Sequence, residues 1–161
     1  MPGMNMPTSR TKAEFGFIWP VRVYYEDTDA GGIVFYANYL KYFERARTEW
    51  LRACEIDQCR LDAEAGLIFV VRSAALDYRA AARLDDLLTI GSRIERLGGA
   101  SVEFMQEAWR GDELLATGSI RVACVARATL KPVPLPSPVR AALSRGACVD
   151  TVLSTVNAQI R

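Results

Sequence analysis

The sequence predicts an α+β domain in which a curved antiparallel β-sheet wraps around one long α-helix. One segment in the first third of the chain repeats apolar residues at helical spacing. Segments rich in β-branched and aromatic residues, separated by short turns, fill most of the rest. The length of 161 residues fits one domain. Because one helix cannot cover a whole sheet, we expect an exposed sheet edge or face to pair with a second copy of the chain.

The first two elements are a strand and the long helix. Ile18 to Tyr25 is apolar, β-branched or aromatic, which predicts a strand. From Asn38 the apolar period becomes three and four residues, so we predict a helix with Asn38 as its N-cap and its end near Cys54. Its apolar face consists of Leu40, Phe43, Ala46, Trp50 and Leu51.

The later elements are mostly strands. A helical turn is predicted near Arg60 to Glu64, and a short helix from Pro138 to Arg145 follows a proline-rich exit. The strands between them are Ile68 to Tyr78, Leu87 to Leu97, Ser101 to Trp109 and Leu114 to Ala126. The chain thus divides into an N-terminal tail, 1–17, disordered in the simplest interpretation, a domain, 18–136, and a C-terminal short helix and tail, 137–161.

Composition argues against several classes of function. Lys and Arg number 20 against 19 Asp and Glu, so no broad field indicates nucleic acid or an anionic membrane. No apolar run reaches the roughly 18 residues of a membrane span, and the first residues lack a signal-peptide core, which favours a cytoplasmic protein. Without Cys-x-x-Cys spacing, free thiols are expected at Cys54, Cys59, Cys124 and Cys148.

The chain contains no histidine. This excludes Ser-His-Asp and Cys-His catalysis and histidine-based metal sites, and we expect no bound metal. Acid–base or nucleophilic chemistry therefore falls to carboxylates, tyrosines, lysines, thiols or backbone groups.

The segment EDTDAGGIVFYANY, residues 26–39, places three carboxylates within four residues ahead of two glycines and an aromatic run. Alone, it is typical of an ordinary turn in which an Asp side chain binds nearby amides. In its longer context, residues 22–52, it closely resembles the opening motif of hotdog-fold acyl-CoA thioesterases. The resemblance is strongest to the Tol–Pal-associated (YbgC-like) group of the 4-hydroxybenzoyl-CoA thioesterase family, and it covers roughly residues 18–136.

The resemblance implies a hotdog fold and a homo-oligomer. Members of the family form dimers with a continuous sheet, often paired into tetramers, with active sites at the subunit interface. We therefore expect a dimer or a dimer of dimers, and the dimer of dimers would be a homotetramer. The resemblance implies no cofactor, because the coenzyme A thioester is itself the substrate.

The resemblance assigns the catalytic carboxylate to Asp29. A thioester has a good leaving group, so hydrolysis chiefly needs attack on the carbonyl carbon and stabilisation of the oxyanion. An ionised aspartate can attack directly and form a mixed anhydride, or it can orient and deprotonate a water molecule. Both roles stay open.

Supporting roles surround the catalytic carboxylate. Asp27 is expected to bond loop amides or a neighbouring side chain, whereas Glu26 is solvated. Gly31 and Gly32 permit the turn and the close approach of a ligand. The resemblance places the thioester carbonyl against backbone N–H groups at the helix start, chiefly that of Tyr36, where the helix dipole favours an oxyanion.

Three positions carry alternatives. Tyr36 departs from the YbgC-like group, which commonly has histidine there, so no side-chain role is transferred. Asn38 either caps the helix or orients the site. Glu44 is the reserve carboxylate, because another branch of hotdog thioesterases uses a helix carboxylate; its simpler role is a contact with Arg47 or Thr48 on the same helix.

Coenzyme A requires cations for its phosphates. Basic residues lie at strand ends beside the glycine turn and the proline-rich exit, and the glycine turn matches a segment near the pantetheine-binding region of the family. The candidate contacts are Arg96, Gly98, Gly99, Ala100, Ser101, Arg127 and Lys131.

The functional hypothesis is hydrolysis of an acyl-CoA to a free carboxylic acid and coenzyme A. One alternative is a catalytically silent acyl-CoA-binding or interaction module. Another is a hotdog hydratase or dehydratase, against which the missing histidine argues.

Overall fold

The computed structural model describes residues 15–145, which form one five-stranded antiparallel sheet and three α-helices. The strands are β1 (Phe17–Arg22), β2 (Leu67–Tyr78), β3 (Leu87–Leu97), β4 (Ser101–Arg110) and β5 (Glu113–Ala126). The helices are α1 (Asn38–Ala53), α2 (Gln58–Ala65) and α3 (Ser137–Ser144). The order across the sheet is β1-β3-β4-β5-β2, which leaves β1 and β2 as the two edges.

Helix α1 packs its apolar face onto the sheet, and the predicted α+β architecture is confirmed. Its four large aromatic side chains, Tyr39, Tyr42, Phe43 and Trp50, are almost wholly buried, whereas Leu40, predicted on the same face, is 40% exposed. Trp50 lies parallel to Phe17 of β1 at 5.9 Å between ring centroids and meets Phe104 of β4 edge-on at the same separation. Aromatic burial of this kind supplies much of the driving force for a domain of this size.

A close contact between α1 and β5 depends on Gly118. A Cβ atom built at this position would lie 2.7 Å from a ring carbon of Phe43. We expect Gly118→Ala to reduce the free energy of unfolding by about 1–3 kcal/mol, because the helix would have to move off the sheet. Gly99→Ala is the matched control, since a Cβ there meets nothing within 4 Å. Equal losses in the two variants, measured by chemical denaturation, would contradict this packing account.

A buried hydrogen-bond network fixes α1 on the centre of the sheet. The Gln106 side chain donates to the Phe43 carbonyl at 2.9 Å and to the Ser92 hydroxyl at 2.8 Å. Its amide oxygen accepts from Arg47 at 2.8 Å. Burial lowers the pKa of Arg47 to about 10, which leaves the guanidinium charged at neutral pH. Because unsatisfied buried polar groups are costly, the network favours one register of helix on sheet.

The predicted strand from Ile18 to Tyr25 is wrong at its C-terminal end. The strand stops at Arg22, and Tyr25–Asp27 forms a 3-10 turn. The cause is the Asp27 carboxylate, which accepts the Tyr24 N–H at 2.8 Å and bends the chain out of the sheet.

The prediction that Asn38 is the N-cap of the long helix is also wrong. Ala37 is the N-cap, and Asn38 is the first helical residue. The Asn38 side chain is buried and donates to the Asp27 carbonyl at 2.7 Å, so it fastens the helix to the preceding loop instead of capping its own amides.

The shorter helices lie close to their predicted positions. Helix α2 begins earlier than predicted, because Asp57 caps it by accepting from the Cys59 and Arg60 N–H groups at 2.9 and 3.1 Å. Helix α3 lies one residue ahead of the predicted C-terminal helix. Residues 1–14 and 146–161, which include most of both predicted tails, lie outside the described residues.

Strand β2 is a long sheet edge that carries solvent-exposed apolar residues. It pairs only with β5 in the part of the chain that the structure describes. Val71 on this strand is 52% exposed. A long edge with exposed apolar residues is a natural site for pairing with another strand.

Candidate active site

The acidic-glycine segment folds as a small hairpin immediately ahead of α1. The Asp29 N–H donates to the Ile33 carbonyl at 3.0 Å, and the Phe35 N–H donates to the Asp27 carbonyl at 2.9 Å. Gly32 closes the turn with a φ of 75°, a conformation that glycine adopts without strain. The hairpin therefore pairs Asp29 with the segment that leads into α1, residues 33–37.

Asp29 is exposed and is held by its own turn. One carboxylate oxygen, Oδ1, accepts the Gly31 N–H at 2.8 Å. A Cβ on Gly31 would come within 3.1 Å of that oxygen, so glycine leaves the carboxylate room. No hydrogen-bond partner for Oδ2 occurs within residues 15–145. The side chain thus makes the Asx contact expected of an ordinary turn and still presents one oxygen to a ligand.

Asp27 is buried, and its carboxylate accepts from a loop amide, which is one of the two contacts predicted for it. Its carboxylate accepts from Tyr24, as described above, and its carbonyl accepts from both Phe35 and Asn38. The pKa of Tyr42 is raised, first by burial and then by the negative charge of Asp27. Asp27 acts on that phenol as a nearby charge and not as an aligned hydrogen-bond partner. Glu26 is exposed, as predicted.

Three backbone donors at the start of α1 are unpaired. The N–H groups of Tyr36, Ala37 and Tyr39 have no acceptor among residues 15–145. The Tyr36 side chain is 63% exposed, and its ring meets Tyr78 of β2 edge-on at 6.3 Å. Free N–H groups at the positive end of a helix favour a developing negative charge, which is what a thioester carbonyl acquires on attack.

Glu44, the reserve carboxylate, lies nearly two turns into α1. It accepts the Thr48 hydroxyl at 2.7 Å, one of the two helix contacts predicted for it. The other predicted partner, Arg47, instead donates to Gln106. Glu44, Arg47 and Thr48 border a pocket of about 130 Å³ between α1 and the sheet, whose other walls are mainly apolar, including Phe69. This carboxylate is therefore separate from the hairpin that carries Asp29.

Part of the predicted coenzyme A site does come together. Arg96, Gly98, Gly99 and Ser101 line one surface pocket of about 250 Å³ at the β3–β4 turn. Ala100 belongs to the same turn, and its carbonyl accepts from Cys124 at 2.8 Å.

Two basic residues at this turn were missed from the sequence. Arg121 of β5 also lines the pocket, and Arg140 of α3 donates to the Gly98 and Gly99 carbonyls at 2.6 and 3.1 Å. Both come from distant parts of the chain, and only the strand register of β4 with β5 could have indicated the first of them.

The other two predicted phosphate contacts do not join this pocket. Arg127 makes a two-point ion pair with Asp62 of α2, at 2.5 and 2.6 Å. Asp62 raises the pKa of Arg127, and Arg127 lowers the pKa of Asp62. The Lys131 backbone closes a turn with Ala126 at 3.0 Å, and Lys131 does not line the pocket at the β3–β4 turn.

The groups available for chemistry are the Asp29 carboxylate on the hairpin and the amides at the helix start, into which the hairpin leads. Among residues 15–145 no group of three or more His, Cys, Asp or Glu side chains is placed to hold a metal ion. No helix in the same range is long and apolar enough to cross a membrane.

By its fold, the protein is a hotdog-type thioesterase. A family model described as the thioesterase superfamily matches residues 31–117, and the chain belongs to that superfamily. It is 49% identical to the Haemophilus influenzae protein named acyl-CoA thioesterase YbgC over 127 residues, which are 79% of this chain and 93% of the relative. It is 46% identical to the Escherichia coli protein named acyl-CoA thioester hydrolase YbgC, over 76% of this chain and 92% of the relative.

A solved structure gives the same result for the fold. The crystal structure of a probable thioesterase from Bartonella henselae superposes with a TM-score of 0.71 at 38% identity, over 74% of this chain and 98% of that one. The resemblance to the YbgC-like group, noted from residues 22–52, is therefore confirmed, and so is the hotdog fold.

Proposed function

We propose that the protein hydrolyses acyl-CoA thioesters to a free carboxylic acid and coenzyme A at the hairpin that carries Asp29. The observation that carries this proposal is a carboxylate on a hairpin that leads directly into the start of α1, where one oxygen of the carboxylate and the N–H groups of the helix start have no partner among residues 15–145. The relatives named as acyl-CoA thioesterases support the choice of substrate.

Asp29 supplies the carboxylate for the chemical step. As nucleophile, it forms a bond to the thioester carbon while the carbon–sulfur bond breaks, which gives a mixed anhydride and the coenzyme A thiolate; water then cleaves the anhydride. As general base, it takes a proton from water as the water oxygen attacks the same carbon; the carbon–sulfur bond then breaks, and the departing coenzyme A thiolate takes up that proton. In both routes the thioester oxygen becomes negative and is stabilised by the N–H groups of Tyr36 and Ala37.

The phosphates of coenzyme A are proposed to bind at the β3–β4 turn. Arg96 brings positive charge to its pocket, and Arg121 adds a second charge that is partly offset by Glu103, which lines the same pocket and pairs with Arg121 at 3.4 Å. The glycine turn lets a ligand approach the backbone. Arg140 braces this turn through the carbonyls of Gly98 and Gly99. The ion pair with Asp62 makes Arg127 a poor candidate for phosphate.

A second copy of the chain is proposed to pair along β2, which would continue the sheet across the interface. The length of this edge and the exposure of Val71 support that choice. The cytoplasmic location and the homotetramer stay predictions. We also propose that the reaction needs no cofactor, because the thioester is already an activated acyl group.

Release of free thiol from short-chain, long-chain and aromatic acyl-CoAs tests the proposal. We expect multiple-turnover hydrolysis of at least one class by the purified protein. Binding of these compounds by calorimetry without any thiol release would overturn the proposed reaction and favour the silent acyl-CoA-binding module.

A further inference from the structure

Tyr78, the last residue of β2, contacts the start of α1. Its hydroxyl donates to the Tyr36 carbonyl at 2.8 Å. Its ring meets Tyr36 edge-on at 6.3 Å and Tyr39 at 5.5 Å. The following residue, Arg79, is held on β5 by a 2.8 Å bond from its N–H to the Leu115 carbonyl. Tyr78 therefore lies at a strand end that is hydrogen-bonded to β5, and its side chain contacts the start of α1.

The Tyr36 carbonyl lies outside the hydrogen-bond ladder of α1. Tyr36 precedes Ala37, the N-cap residue, and the N-cap carbonyl is the first one that a helix uses as an acceptor. The Leu40 N–H donates to the Ala37 carbonyl at 3.1 Å and leaves the Tyr36 carbonyl to Tyr78. The contact with Tyr78 therefore competes with no helical hydrogen bond.

The direction of this carbonyl sets the direction of a neighbouring donor. A peptide unit is planar and trans, so the carbonyl of Tyr36 and the N–H of Ala37 point in opposite directions. The Ala37 N–H has no acceptor among the described residues. A hydrogen bond to the carbonyl also polarises the same amide and makes its N–H a stronger donor.

We propose, on the basis of the thioesterase function proposed above, that Tyr78 is a positioning residue that aims the Ala37 N–H at the substrate carbonyl. The Tyr78 hydroxyl does not touch the thioester. Its action passes through the peptide unit that joins Tyr36 and Ala37. The end of the edge strand β2 therefore helps to set the geometry of the site.

The hydroxyl keeps its proton under ordinary assay conditions. The pKa of Tyr78 is raised above its usual value by partial burial and by the neighbouring phenols of Tyr39 and Tyr36. A raised phenol pKa leaves Tyr78 a hydrogen-bond donor throughout the neutral range.

Tyr78→Phe tests the proposal, because it removes the hydroxyl and keeps the ring contacts. We expect kcat to fall about tenfold and KM to stay within about twofold, since oxyanion contacts strengthen only in the transition state. The carbonyl stretching frequency of a bound, non-hydrolysed acyl-CoA ketone analogue should be higher in Tyr78→Phe than in the wild type, because the carbonyl is less polarised. Tyr25→Phe is the matched control, because Tyr25 is 82% exposed and makes no contact through its hydroxyl within residues 15–145.

A second variant separates positioning from structure. Ala37→Pro removes the N–H itself, and the native φ of −73° suits proline. We expect Ala37→Pro to lower kcat at least as much as Tyr78→Phe, and the double variant to be no slower than Ala37→Pro alone, because the two changes remove one effect.

Three results would overturn the proposal. They are an unchanged kcat in Tyr78→Phe, additive losses in the double variant, and a Tyr78→Phe protein that loses thermal stability and substrate binding together with activity. Each presupposes that the wild type hydrolyses acyl-CoA. A wild type without hydrolysis would instead refute the proposed function, so the two failures are distinguishable.

Discussion

Replacement of Asp29 by asparagine is expected to lower kcat for acyl-CoA hydrolysis by about 10²–10⁴-fold while substrate binding changes little. Asparagine keeps an oxygen that can accept the Gly31 N–H, which lies 2.8 Å from Oδ1 of Asp29, so the turn is preserved. It removes the negative charge and the basic or nucleophilic oxygen. Thiol release at saturating substrate measures the effect.

Glu26→Gln is the control for Asp29→Asn. It removes the same charge three residues earlier, at an exposed side chain that is assigned no chemistry. We expect it to retain wild-type kcat. Equal rates for wild type and Asp29→Asn would exclude Asp29 as the catalytic carboxylate and return attention to Glu44.

Single turnover in ¹⁸O-labelled water separates the two roles of Asp29. Label in the Asp29 carboxylate, detected by mass spectrometry of the peptide, requires an anhydride at that residue. Label confined to the product acid is expected of the general-base route and gives no support to the anhydride.

Lysine at Val71 is expected to raise the dissociation constant between two copies of the chain by about 10–100-fold, which corresponds to about 1.4–2.8 kcal/mol. Strand β2 is a sheet edge, and Val71 is 52% exposed on it. If each site draws on two chains, activity should fall with association at low protein concentration. Sedimentation velocity and thiol release over a concentration series measure both.

Leu87→Lys is the matched control for the edge. Leu87 is 42% exposed and lies on β3, which has a strand on each side. We expect this variant to associate like the wild type. A Val71→Lys protein that stays associated and fully active would place the interface elsewhere.

The elements of this fold were largely predictable because their patterns are local. The apolar positions Phe43 and Trp50 recur at helical spacing, and both are buried against the sheet as expected. The β-rich segments after the helix became β2 to β5 with ends within one residue of prediction. Burial of one face is a property of the segment itself, so the sequence displays it.

The details of the site were less predictable because they depend on side chains that meet across the fold. Arg127 looked like a free cation, but it meets Asp62, 65 residues earlier in the chain. Asn38 has the composition of an N-cap, but a carbonyl outside the helix offers its side chain a buried partner. Tyr78 reaches Tyr36 across 42 residues. No local spacing encodes such pairs.

The double use of the Asp27 carbonyl limits how the hairpin can move. This one oxygen accepts the Phe35 N–H at 2.9 Å and the Asn38 side chain at 2.7 Å. Opening the hairpin would therefore leave the buried Asn38 side-chain amide without its acceptor and would also break the backbone hydrogen bond from Phe35. The loop that carries Asp29 is tied to the helix start and is poorly suited to act as an independent lid. Amide exchange at Phe35 should accordingly rise and fall with that of the first turn of α1.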